Sequence, residues 1–145
     1  MQPAFDVQIK IQKPLATVFE AVVDPKQLSR YFVQEASARP TSGSTVHWRF
    51  AEVPGAFPVS FSEVVPNSRV AFTWDTDEGY PTSVEFTFTE VTPDETRVKI
   101  HESGWRPDEA GIKASYGNCG GWMQMLCCLK AWLDFGINLR AGSIG

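Results

Sequence analysis

Between about Val33 and Ser103 apolar and polar residues alternate with a period of two, run after run, with turn residues between the runs. Val46, Trp48 and Phe50 alternate with His47 and Arg49; Phe57, Val59 and Phe61 with Pro58, Ser60 and Ser62; Val70, Phe72 and Trp74 with Ala71, Thr73 and Asp75. Further on, Val84, Phe86 and Phe88 alternate with Glu85, Thr87 and Thr89, and Val98 and Ile100 with Arg97, Lys99 and His101. Successive side chains of an extended chain point to opposite faces, so each run reads as a strand with one apolar face. Thr41–Ser44, Pro54-Gly55, Pro66-Asn67, Asp77–Gly79 and Pro93-Asp94 supply the turns. Strands joined this way predict an antiparallel meander, apolar on one side and solvated on the other.

An apolar sheet face needs a cover, and the flanks of the meander supply helix. Phe5, Val7, Ile9 and Ile11 make one more alternating strand; Pro14 then opens a helical spacing through Leu15, Val18, Phe19, Val22 and Val23 that stops at Asp24-Pro25. A second short helix over Pro25–Tyr31 turns Leu28 and Phe32 inward. At the far end Trp122, Leu126, Leu129 and Leu133 form an i, i+4, i+7, i+11 stripe, widened by Met125, Trp132, Phe135 and Ile137. Gly117, Gly120 and Gly121 are expected to break or kink any helix that begins near Asp108. The long final helix is the element that can cover the sheet.

Ten Phe, five Trp and three Tyr against only two His promise a bulky interior with little for metal or acid–base chemistry. The net charge is −4, and no basic patch of the kind that displaces counterions from phosphate is present, which excludes a nucleic-acid partner. No stretch reaches the roughly 18 consecutive apolar residues of a membrane span, and the first ten residues do not read as a secretory leader. Cys119, Cys127 and Cys128, an odd number with two adjacent, make a poor disulfide framework and fit a reducing cytoplasm.

The order of elements, an α+β fold of about six or seven antiparallel strands curved around a long C-terminal helix with two short helices after the first strand, resembles the helix-grip fold of the START-like (SRPBCC) superfamily. Within it the sequence is similar to the AHSA-like group, the homologues of the activator of heat-shock-protein-90 ATPase. The carrying segments are IKIQKPLATVFEAVVDPKQLSRYF, SGSTVHWRF, FSEVVPNSRVAFTWD, HESGW and GWMQMLCCLKAWLDFG, which together span nearly the whole chain. The run Glu63-Val64-x-Pro66-x-x-Arg69-Val70-x-Phe72-Thr73-Trp74 is the most specific of them. The resemblance implies one AHSA-like domain over residues 1–145, with a cavity between sheet and helix. It also suggests two other roles: a polyketide-cyclase or aromatase type of enzyme, or a cochaperone-type module that stimulates a partner ATPase. Chaperone activators of the group carry a further N-terminal domain, so a chaperone partner is not expected here, while a homodimer is left open.

Few residues offer chemistry. His47 and His101 alternate with the apolar positions of their strands and belong to the solvated face, so no zinc site is expected. Asp75-Thr-Asp-Glu-Gly79 begins like a calcium loop, but Tyr80 and Phe86 stand where such a loop needs Gly and Glu, leaving a solvated hairpin turn. Asn118-Cys119-Gly120-Gly121 lacks the Lys and Ser/Thr of a phosphate loop; Cys119 would lie at a helix start or kink, with no histidine placed to act as its base. Cys127 and Cys128 read as small core residues. Glu102 is different: continuing Val98 and Ile100 puts it on the inward face, unless the strand frays near Gly104 and leaves it at a cavity mouth beside Arg106. An inward carboxylate must find partners, and it could orient a ligand or serve as a general acid or base. The expected function is binding of a small hydrophobic or aromatic molecule, with neither cofactor nor metal, by Trp48, Phe61, Trp74, Phe88, Trp122 and Leu126, anchored by Glu102.

Overall fold

The computed structural model describes residues 2–143. The six alternating runs and one short edge segment form seven strands: β1 (Ala4–Ile11), β2 (Glu35–Ala36), β3 (Thr45–Arg49), β4 (Ala56–Val65), β5 (Arg69–Asp75), β6 (Pro81–Thr92) and β7 (Glu95–Ser103). They make one antiparallel sheet in the order β1-β7-β6-β5-β4-β3-β2. Register shifts at Phe61/Glu63 and Glu90/Thr92 are bulges, which add twist and help the sheet curl into a half-barrel. β2 is too short to show an alternation of its own; it exists because Glu35 and Ala36 pair with Arg49 and Trp48 at the edge.

Helices α1 (Leu15–Val23) and α2 (Pro25–Tyr31) follow β1. Asp24 separates them and caps the second, its carboxylate accepting from the Lys26 amide at 2.9 Å, with Pro25 in the first turn where no N–H is needed. The long helix α3 (Glu109–Phe135) lies in the curl of the sheet. The chain reaches it through Gly104, whose φ of +111° suits glycine and whose Cα passes so close to β6 that a Cβ would lie 3.3 Å from the Thr82 backbone. Asp108 caps α3 by accepting from the Gly111 amide at 2.7 Å, and a Cβ on Gly111 would fall 2.0 Å from the Arg106 carbonyl oxygen.

Two expectations for this helix are corrected. α3 runs unbroken through Gly117, Gly120 and Gly121, because its capped start and its contacts with the sheet outweigh a glycine penalty of roughly 1 kcal/mol each. Phe135 and Ile137 do not widen the buried stripe: they are 65% and 54% exposed, since the helix stops at Gly136 once it has passed the sheet.

The core lies between sheet and α3. Trp48, Phe61, Phe72, Phe86 and Phe88 are buried against Trp122, Met125, Leu126 and Leu129, with Val18, Phe19, Leu28 and Phe32 closing one end. Many of the rings meet edge-to-face, for instance Trp48 on Phe72 at 5.4 Å and Phe86 on Trp122 at 5.5 Å, an arrangement that ring quadrupoles favour. The far half of α3 also guards the sheet's β1 edge. Asp134 accepts from the Gln12 amide and Lys130 donates to the Lys10 carbonyl, satisfying edge groups that could otherwise pair with another strand.

Candidate functional site

The β7 alternation carries through to its end, so Glu102 does point inward and is 0% exposed. Four side chains from three elements converge on it. Thr82 on β6 donates its hydroxyl to Oε2 at 2.7 Å, and the Trp74 indole on β5 reaches the same oxygen at 3.1 Å. From α3, Trp122 donates its indole N–H to Oε1 at 2.8 Å and Asn118 its amide at 3.1 Å. Indole N–H groups can only donate, so this is an acceptor's environment, built to solvate a carboxyl group without water. The stacked indoles of Trp74 and Trp122, 5.4 Å apart, bring the two elements into line. Chemically the cluster is a clamp that fastens α3 to β5, β6 and β7.

Beside the clamp the grip opens. A groove of about 660 Å³ lies between the first half of α3 and the hairpin loops of the sheet. Its apolar wall holds Phe50, Phe57, Trp74, Tyr80 and Trp105, with Thr82 and Asn118 of the clamp at its base. Its helix wall is Ala110, Ala114, Gly117 and Asn118, with Lys113 at the rim. A smaller space of about 150 Å³ continues it past Gly121, Trp122, Gln124 and Arg140, sharing Phe50, Trp74, Gly117 and Asn118. The groove exists because α3 offers Ala110, Ala114, Gly117 and Gly121 at the same spacing as its buried stripe, and a Cβ on Gly117 or Gly121 would meet nothing within 4 Å. From Ala110 to Gly121 this shaved face is about 16 Å long.

Trp74 and Trp122 line the open space. Trp48, Phe61, Phe88 and Leu126 sit instead in the closed core, which leaves no side of them facing the groove. Glu102 lies beneath the groove floor, reached only through its own donors. Tyr80, Trp105 and Lys113 escape a reading by periodicity because they lie on a loop, a connection and an exposed helix turn, where no alternation marks them. The small-residue spacing along α3 is the sequence signal that points to this wall. The Asp75–Gly79 segment is the hairpin turn expected, closed by the Gly79 amide donating to Thr76, and it forms part of the groove rim.

His47 is exposed on the outer face, and His101, on the same face, contacts Asp6 at 2.8 Å. Cys119 lies in the middle of α3 and not at a helix start, so the dipole argument for its activation does not apply. Burial pushes the Cys128 thiol up from its ordinary range, which suits an inert core residue. Among the described residues no group of three His, Cys, Asp or Glu side chains is placed to hold a metal, and no helix is long and apolar enough to cross a membrane.

The profile of the family described as "Activator of Hsp90 ATPase homolog 1-like protein" matches residues 12–134. The chain belongs to this family. Its architecture is accordingly that of an AHSA-like member of the START-like superfamily, and solved structures share the fold. The protein SSP2350 from Staphylococcus saprophyticus is 28% identical, with a TM-score of 0.81 over 95% of this chain and 96% of its own. The Aha1 dimer from Colwellia psychrerythraea is 20% identical, with a TM-score of 0.76 over 92% of this chain and 98% of its own. DynU16, from the dynemicin biosynthetic locus, is 23% identical with a TM-score of 0.81; the match covers 93% of this chain and 48% of DynU16. No curated protein matches the sequence.

Proposed function

We propose that this AHSA1-family chain binds a small, largely apolar molecule in the groove between the first half of α3 and the hairpin mouths of the sheet. The observation that carries the reading is the groove itself: about 660 Å³, walled by aromatic rings, with a helix face stripped to Ala and Gly. Sites for small molecules are typically concave, mostly apolar and sparsely polar, with volumes of roughly 300–1,000 Å³. An aromatase-like reaction would need an acid or base presented to the groove. Glu102 is occupied by four donors of the protein's own, which favours a structural role for it and binding over turnover.

Gly117→Trp tests the reading. Gly117 lines both parts of the groove and has open space around its Cα, so a large side chain there fills the groove without entering the core. Small aromatic probes such as indole, titrated against the 15N-labelled protein, should shift amide signals of residues 110–121 and of the Thr76–Tyr80 turn. Those shifts should vanish in Gly117→Trp while the folded spectrum persists. Shifts of equal size in both proteins would place the binding elsewhere.

A further inference from the structure

The chain beyond α3 turns back across the groove's inner end. Arg140 lies 5.6 Å from the ring centres of both Phe32 and Phe50, and its Nη2 donates to Glu52 of the β3–β4 loop at 2.6 Å. Its side chain is only 15% exposed and forms part of the wall of the inner space, beside Gln124 and the Trp122 indole. Among the described residues only one of its three guanidinium nitrogens is engaged, and no buried polar side-chain atom lacks a partner, so the remaining donors face open space.

Two sets of charge therefore bracket the groove. Asp75, Asp77 and Glu78 stand at the outer mouth, where all three are exposed and Lys113 opposes them. Solvent and salt screen such a rim strongly, whereas a cation held between rings in a half-dry pocket keeps much more of its field. Glu52 does not exhaust that cation: Arg69 on the outer face binds both Glu63 and Glu85 through different nitrogens, so one guanidinium in this fold already serves two carboxylates. We propose that Arg140 is the polar anchor of the groove and selects an apolar molecule that bears a carboxylate. This inference rests on the groove being the binding site. Glu52 then has a second part, as the internal carboxylate with which the ligand shares Arg140.

Indole, indole-3-acetate and tryptamine have the same ring system and differ in charge, so titrating each separates the two ends. Indole-3-acetate should bind about tenfold tighter than tryptamine, the ratio expected of one partly buried charge pair. Arg140→Gln should erase that preference, bringing the ratio of indole-3-acetate to tryptamine affinity to about one. Glu52→Gln should strengthen indole-3-acetate alone, because it removes a competitor and leaves Arg140 stacked on its rings. If Glu52→Gln instead weakens all three alike, the ion pair is only a tether for the tail and the proposal is wrong. Tryptamine binding tightest would assign selection to the acidic rim and overturn it as well. Equal binding of all three would refute the anchor and leave the groove standing; binding by none would refute both.

Discussion

From Glu109 to Gly121, α3 turns Ala110, Ala114, Gly117 and Gly121 toward the groove, whereas from Trp122 to Phe135 it buries Trp122, Met125, Leu126 and Leu129. Both halves face the aromatic side of the sheet. The second half is held by apolar area, each buried Leu contributing on the order of 1.5–3 kcal/mol. The first half buries little and is held at defined points: the Asp108 cap, the close approach of Gly111 to the Arg106 carbonyl, and the Asn118 bond to Glu102. One continuous helix thus combines an anchor with an opening, and the opening is kept by removing side chains and not by bending the backbone.

The sharpest way to break this division is Glu102→Ala. It orphans the buried Trp122 indole N–H and Thr82 hydroxyl outright, and the Trp74 indole and Asn118 amide at the groove wall in part, and should cost about 3 kcal/mol. Amide protection should fall first over 109–121, with 122–135 holding longer in native-state hydrogen exchange. An even loss along α3, or a change below about 1 kcal/mol in urea denaturation, would mean that the clamp does not hold the first half. Leu129→Ala attacks the other half. It removes a fully buried side chain and should cost about 2–5 kcal/mol. Indole affinity should not change, and a fall in it would show that the halves are not separable.

A finer comparison lies within the clamp. Trp122→Phe and Trp74→Phe each keep a ring and remove one N–H donated to Glu102. Trp122 is buried and its bond is the shorter, so its loss should cost about 1.5–3 kcal/mol; half-buried Trp74 should cost about 1 kcal/mol. Denaturation midpoints of the two variants decide the order.

The architecture is readable because alternation and proline punctuation are local signals. Pro14 and Asp24-Pro25 mark the first two helices, and the inward direction of Glu102 follows from Val98 and Ile100 by counting in twos. The partners of Glu102 are not readable, since Trp74, Thr82, Asn118 and Trp122 lie 28, 20, 16 and 20 residues away and meet only when the sheet curls. The same limit applies to the inward rings. Alternation tells which rings face inward but not which of them the helix covers, so it groups Trp48, Phe61 and Phe88 with Trp74 although α3 and its neighbours close over them. The glycines are the sign of the opening, and helix propensity alone turns that sign into a break.

The smallest predicted effect bears on those glycines. Gly120 and Gly121 are both helical and both exposed, and a methyl group on either would meet no atom within 4 Å, yet only Gly121 lines the groove. Alanine at either should stabilise the protein by up to about 1 kcal/mol, because it lowers the entropy of the unfolded chain and clashes with nothing. Their ligand effects should part: Gly121→Ala narrows the inner groove and should weaken indole-3-acetate, while Gly120→Ala should leave it unchanged. Paired thermal denaturation and titration of the two variants would read both quantities. If both alanines stabilise and neither affects binding, the glycine face is not there for a ligand. If Gly121→Ala alone gains stability at the expense of affinity, the flexible residue is retained at that position for the space it leaves.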